Sequence, residues 1–102
     1  MNTMVELIKS RRIFIFGGAP SCQLKLREHL PTVEFVEVDE KNRDISKIKR
    51  ADAVFINTSF FAHSFYKRII KELSQIKTTL YYLNGQSNIE KTILEIYNWL
   101  IE

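Results

Sequence analysis

Thiols are almost missing from this chain, with Cys22 its single cysteine. No intramolecular disulfide is possible, and a domain of this size without staples suits a reducing compartment, so the cytoplasm is the expected location. Only two histidines are present, His29 and His63. No Cys/His cluster surrounds either, and no metal site is expected. Long apolar runs are missing as well. No stretch approaches the roughly 20 residues that span a bilayer. Near the start, Glu6 and Lys9 interrupt Val5, Leu7 and Ile8, which removes the apolar core of a signal peptide. The chain is therefore expected neither to cross a membrane nor to be exported. Glycine and proline are scarce, three and two residues, and no repeat, linker or low-complexity segment interrupts the pattern.

What is present is an ordinary globular mixture, 45% hydrophobic and 26% charged over 102 residues. That length suits one domain, 1–102, able to bury a core unaided. The formal charge is +3, and acidic residues alternate with basic ones along most of the chain. The densest basic group is Lys41, Arg43, Lys47, Lys49 and Arg50, which Asp39, Glu40 and Asp44 dilute. It reads as a solvated face rather than a phosphate track, so a nucleic-acid partner is not expected.

Strands alternate with helices. Ile13 to Phe16 is a short, continuous apolar run stopped by Gly17-Gly18, as in a strand buried on both faces. A helix follows from Pro20 and Ser21, with Cys22, Leu26 and Leu30 on one face and Leu24 opposite, and Pro31 ends it. Val33 to Asp39 is rich in residues that favour strands. In the polar connection from Glu40 to Arg50, Ile45 and Ile48 stand one turn apart and suggest a short helix. Ala53 to Ile56 carries no charge and reads as a central strand. His63 to Ile76 is helical, with Phe65, Ile69, Leu73 and Ile76 as the apolar stripe, and Thr79 to Leu83 is a fourth strand. Ser87 and Glu90 have the spacing of a capping box. The last helix runs to about Ile101 and buries Ile89, Ile93, Ile96, Tyr97 and Leu100.

Such alternation predicts an α/β domain of three layers, Rossmann-like or flavodoxin-like, with a four-stranded parallel sheet in the order 2-1-3-4. Where that order reverses, between the first and third strands, the loops at the carboxyl ends splay apart and leave a crevice for a ligand. Gly17, Gly18 and Ser21 fall in one of these loops and helix starts, and Thr58, Ser59 and His63 in the other. Small residues and a helix start there suit a small anion, although neither the dinucleotide fingerprint nor the phosphate-loop spacing is present and no cofactor is named. His63 titrates near neutrality and suits anion contact or proton transfer. Asp39 closes the second strand where nucleotide-binding folds place an acid for a ribose hydroxyl, but without the full glycine fingerprint it reads more readily as a solvated strand end. Cys22 reads as a small core residue more readily than as a nucleophile.

Over Arg12 to Leu100 these features resemble a bacterial family, the domain of unknown function 2325 family. Its pattern is similar to Gly17-Gly18, Ala51-Asp52, Thr58, His63 and Lys67 in this chain, and the Ser87 region to the family's tail. Ala62 stands where the family often has serine, so no role needing a hydroxyl beside the histidine carries over. The resemblance implies a Rossmann-like fold and a candidate site that adds Lys67, one turn after His63, but no reaction. Three functional classes follow. The first is a binding or regulatory domain for a phosphorylated metabolite or nucleotide. The second is a small transferase or hydrolase with His63 as general acid or base. The third is a homodimeric interaction module using Phe60, Phe61 and Tyr66.

Overall fold

Two strands with no polar side chain before their last residue form the middle of the molecule. In the computed structural model, which describes residues 2–18, 20–36, 45–57, 63–73, 79–83 and 88–101, these are β1 (Ile13–Gly17) and β3 (Ala53–Asn57), every residue of both buried. Continuous burial is what a parallel strand covered on both faces requires. They pair in register from Ile13 opposite Ala53 to Gly17 opposite Asn57. The shorter β2 (Glu34–Val36) lies on the outer side of β1, and β4 (Thr79–Leu83) on the outer side of β3. The sheet is parallel throughout, in the order β2-β1-β3-β4, as the pattern of the sequence predicts.

Alternating side chains of the strands feed two separate cores. Ile13, Ile15, Ala53 and Phe55 point to one face, where Ile8, Leu26, Leu30, Ile93 and Ile96 cover them. These belong to α1 (Asn2–Lys9), to α2 (Pro20–His29) and the Leu30 that directly follows it, and to α4 (Ile89–Ile101). Phe14, Phe16, Val54 and Ile56 point to the other face, against Ile45, Ile48, Ile69 and Leu73. Those come from a 3₁₀ helix, η1 (Ser46–Arg50, preceded by Ile45), and from α3 (His63–Leu73). The result is three layers. Among the described residues, no helix is long and apolar enough to cross a membrane.

Three local readings change. The sequence assigns no element to its first dozen residues, yet α1 forms there. Met4, Val5 and Ile8 share a face at helical spacing and pack into the first core, and Ser10 closes the helix by donating its hydroxyl to the Leu7 carbonyl at 2.6 Å. In α2 the inward stripe is Gln23, Leu26 and Leu30, while Cys22 is only half-buried. Leu24 is 61% exposed, as its position opposite the stripe predicts. At α4 the cap lies one residue later than the Ser87 box. Asn88 Oδ1 accepts the amide of Lys91 at 3.0 Å, which satisfies an otherwise free donor of the first turn, and Ser87 lies outside the described residues. Of the residues expected inside α4, Ile93 and Ile96 are buried and Ile89, Tyr97 and Leu100 half-buried; Thr92 is buried in addition.

A 3₁₀ helix has three residues per turn, so side chains at i and i+3 eclipse and the helix has three distinct faces. Ile45, Ile48 and Ala51 occupy one and are buried. The Ile48 amide bonds to the Ile45 carbonyl and the Ala51 amide to the Ile48 carbonyl, both at 3.1 Å. Lys47 and Arg50 occupy the second face and are exposed. Lys49, on the third, reaches Glu72 of α3 at 3.3 Å.

Candidate functional site

β1 leads into α2 on one face of the sheet and β3 into α3 on the other. The chain therefore diverges at the carboxyl ends of these adjacent strands, which is the condition for a switch-point crevice. Gly17 and Gly18 lie at its edge with φ of 84° and 89°. Side chains other than glycine rarely adopt that region. Gly18 is also pressed against its neighbour strand, since a Cβ there would stand 2.8 Å from Asn57 Nδ2 and 3.3 Å from Asn57 Cγ. Asn57, paired with Gly17 and only 6% exposed, thus forms the floor of the crevice.

Gln23 holds the other flank. It is 3% exposed, and its Nε2 donates to the Gly17 carbonyl at 2.5 Å and to the Val36 carbonyl at 3.3 Å. Two acceptors facing one end of the amide identify that end as the nitrogen. The side chain therefore ties the carboxyl ends of β1 and β2 together, with its Oε1 buried and, among the described residues, unpartnered. Gln23 has no site role in the sequence pattern, and Asn57 enters there only as the first residue of the crevice loop after the third strand. The available signal was a glutamine three and seven residues before two inward leucines, a polar group on an apolar stripe.

Both helices that start at this edge, α2 and α3, lack an acidic residue in the first turn. Their N-terminal amides and dipole ends make this side of the sheet receptive to negative charge. Ser21 is exposed in the first turn of α2, and His63 is the first residue of α3. Lys67 is exposed too. It precedes the inward Ile69 by two residues, about 200° of helix rotation, and so lies on the outer side of α3. The structure thus brings Gly17, Gly18, Ser21 and the start of α3 to one edge, with Lys67 a turn away along the outer surface. Asp39, Thr58 and Ser59 lie outside the described residues, as do Phe60 and Phe61. Tyr66, grouped with those two phenylalanines as a contact patch, is half-buried and shares a hydrogen bond of 2.8 Å with the Tyr82 hydroxyl of β4. Among the described residues no group of three or more His, Cys, Asp or Glu could hold a metal ion.

Asp52, which the sequence associates with a family motif, acts at the opposite edge. Its Oδ2 accepts the Arg12 amide at 2.7 Å, and its own amide donates to the Arg12 carbonyl at 2.7 Å. It fastens the start of β3 to the start of β1. The fold and this crevice define an α/β domain of the Rossmann-like or flavodoxin-like kind. No family model matches the chain, and searches of curated proteins and of solved structures found no match.

Proposed function

We propose that this chain is a small cytoplasmic binding or regulatory domain that holds a phosphorylated metabolite or nucleotide at the crevice between Gly17-Gly18 and the start of α3. The observation that carries this reading is the Gly18 backbone, held at φ 89° with no room for a Cβ above Asn57. Glycine backbone beside an α-helix start suits the close approach of an anion. Membership of the domain of unknown function 2325 family belongs to the same proposal. It is supported by Gly17-Gly18, Ala51-Asp52, Thr58, His63 and Lys67, short motifs that carry no reaction with them. In this reading Ser21, Thr58, Ser59, His63 and Lys67 supply contacts around the anion, and Asp39 a contact to a sugar hydroxyl.

Ser21→Glu tests the proposal because it separates stability from binding. A carboxylate in the first turn of a helix stabilises it by roughly 0.3–1 kcal/mol, but repels an anion at the same place. The expected outcome is an unchanged or higher melting temperature, together with loss of the thermal shift given by nucleotides, phosphate or sulfate. His63→Ala weakens the same shift. If no such ligand raises the melting temperature of the unaltered protein, or if Ser21→Glu binds it as tightly, the reading fails.

A further inference from the structure

The excess positive charge of this protein gathers at the edge of the sheet opposite the crevice. Two hollows adjoin there, of about 420 and 490 Å³, and share Arg12, Thr32 and Arg50 along their common border. Among the described residues five cations line the pair, Lys9, Arg11, Arg12, Lys47 and Arg50, against two carboxylates, Glu34 and Asp52. The local excess of three equals the formal charge of the whole chain, so the remainder of the sequence is balanced. In sequence the cations of the 41–50 segment stand among acids. Folding adds three from the end of α1 to the two that η1 presents.

That selection follows from the threefold symmetry of η1. Ile45 and Ile48 turn to the core, Lys49 is paired with Glu72, and Lys47 and Arg50 are left together on the face toward the hollow. All five cations are exposed. Among the described residues none of their side chains is engaged in an ion pair. Asp52 spends one carboxylate oxygen on the Arg12 amide, which pins the Arg12 backbone and leaves its guanidinium to solvent. The C-terminal ends of α1 and α2 also lie at this edge, and part of any positive charge there complements their carbonyls. Lys9 sits in the last turn of α1. Arg11, Arg12, Lys47 and Arg50 belong to no α-helix, so helix ends do not account for them.

We infer that these two hollows form a track for the phosphate backbone of a nucleic acid, separate from the crevice and independent of its proposed ligand. A chain of phosphates fits two adjoining open hollows that share a pair of arginines, where a single phosphate would occupy one. A membrane surface fits less well, because the exposed large apolar residues, Leu24, Ile70, Tyr82, Leu94, Trp99 and Ile101, are not among the lining residues and would not anchor this face in lipid. Among the described residues the one aromatic of the lining, Phe14, is itself buried. No stacking platform is offered, and binding is expected to be indifferent to base sequence.

Fluorescence anisotropy of the full chain with labelled oligothymidylate and oligoadenylate of roughly a dozen nucleotides, and with a duplex of similar length, tests this. Binding of a single strand or a duplex is expected, weakening log-linearly between about 50 and 200 mM salt. The two single strands should bind alike. Lys47→Glu and Arg50→Glu should each lower the salt slope by about 1, and their combination should weaken binding about tenfold or more at the lower salt. Lys25→Glu and Lys91→Glu, exposed sites elsewhere that make the same change in net charge, should leave it unaltered, and thermal melts confirm that each variant folds. The inference is overturned if neither nucleic acid binds at the lower salt, or if the control reversals weaken binding as much. It is equally overturned if a mononucleotide displaces the labelled oligonucleotide as effectively as unlabelled oligonucleotide does, or if polyglutamate or anionic vesicles compete on equal terms. Each readout follows the labelled oligonucleotide, so a mononucleotide bound only at the crevice does not register, failure here leaves the crevice proposal untouched, and the reverse also holds.

Discussion

Gly18 and Gln23 do opposite things to the same carbonyl edge. Gly18 brings the backbone down on Asn57 by having no side chain, and Gln23 draws two strand ends together with one amide. Gly18→Ala should destabilise the protein by about 1–3 kcal/mol, because it adds left-handed backbone strain to a contact of 2.8 Å. Urea unfolding of Gly18→Ala, and of its combination with Asn57→Ala, separates the two causes. The double variant removes the contact and should recover part of the loss, with the backbone share remaining. Full recovery would show that φ is not strained, and no recovery that Asn57 is not the obstacle. Neither residue's role could be read from a linear sequence. Positions 22 and 23 fit the spacing to Leu26 and Leu30 almost equally well, at i+4 and i+3, and what decides between them is a pair of carbonyl oxygens, one of them on Val36. The glycine pair was legible because its conformation is a local property, whereas the partner that makes Gly18 indispensable is 39 positions away.

At the scale of elements, legibility followed the number of strong signals. β1, β3 and β4 were read to within one residue, because buried or β-rich runs with clear stops leave few alternatives. α1 was missed although Met4, Val5 and Ile8 carry the helical period, since a stretch of eight residues offers little over two turns to detect it. β4 is an edge strand, and its Tyr82 leans on α3 through Tyr66, with ring centroids 6.4 Å apart. The hydrogen bond shared with Tyr66, then burial, then the charge on Tyr66 raise the Tyr82 pKa above the ordinary tyrosine value. A raised value means the folded state favours the neutral phenol. Its contribution to stability is complete below about pH 10 and disappears as pH climbs through the folded value. Spectrophotometric titration of tyrosinate should show a late component that Tyr66→Phe moves to lower pH. A titration curve identical in the variant would remove this contact as the cause.

For the molecule as a whole, the sheet is a wall between two cores. Ile93 lies on the side of α1, α2 and α4, Ile69 on the side of η1 and α3, and both are fully buried. Ile69→Val and Ile93→Val should each cost about 0.5–1.5 kcal/mol. Their double variant should show the sum within about 0.5 kcal/mol, since the sites share no contact. Chemical denaturation read by Trp99 fluorescence and by far-ultraviolet circular dichroism should still give one coincident transition, because both cores use the same strands. Two separated transitions would contradict that dependence. The strand order and the layers were legible from alternation alone, while the gathering of charge at one edge was not, because it joins residues from two distant parts of the chain. The three-sided helix before β3 also limits how this chain can vary. Elsewhere a connection can lengthen by one residue at small cost, but here an insertion after Ile45 turns everything beyond it by about a third of a revolution. It would carry a basic side chain into the apolar interior and an isoleucine out to water, so in any descendant of this sequence the spacing of those five positions should be more constant than their polar identities.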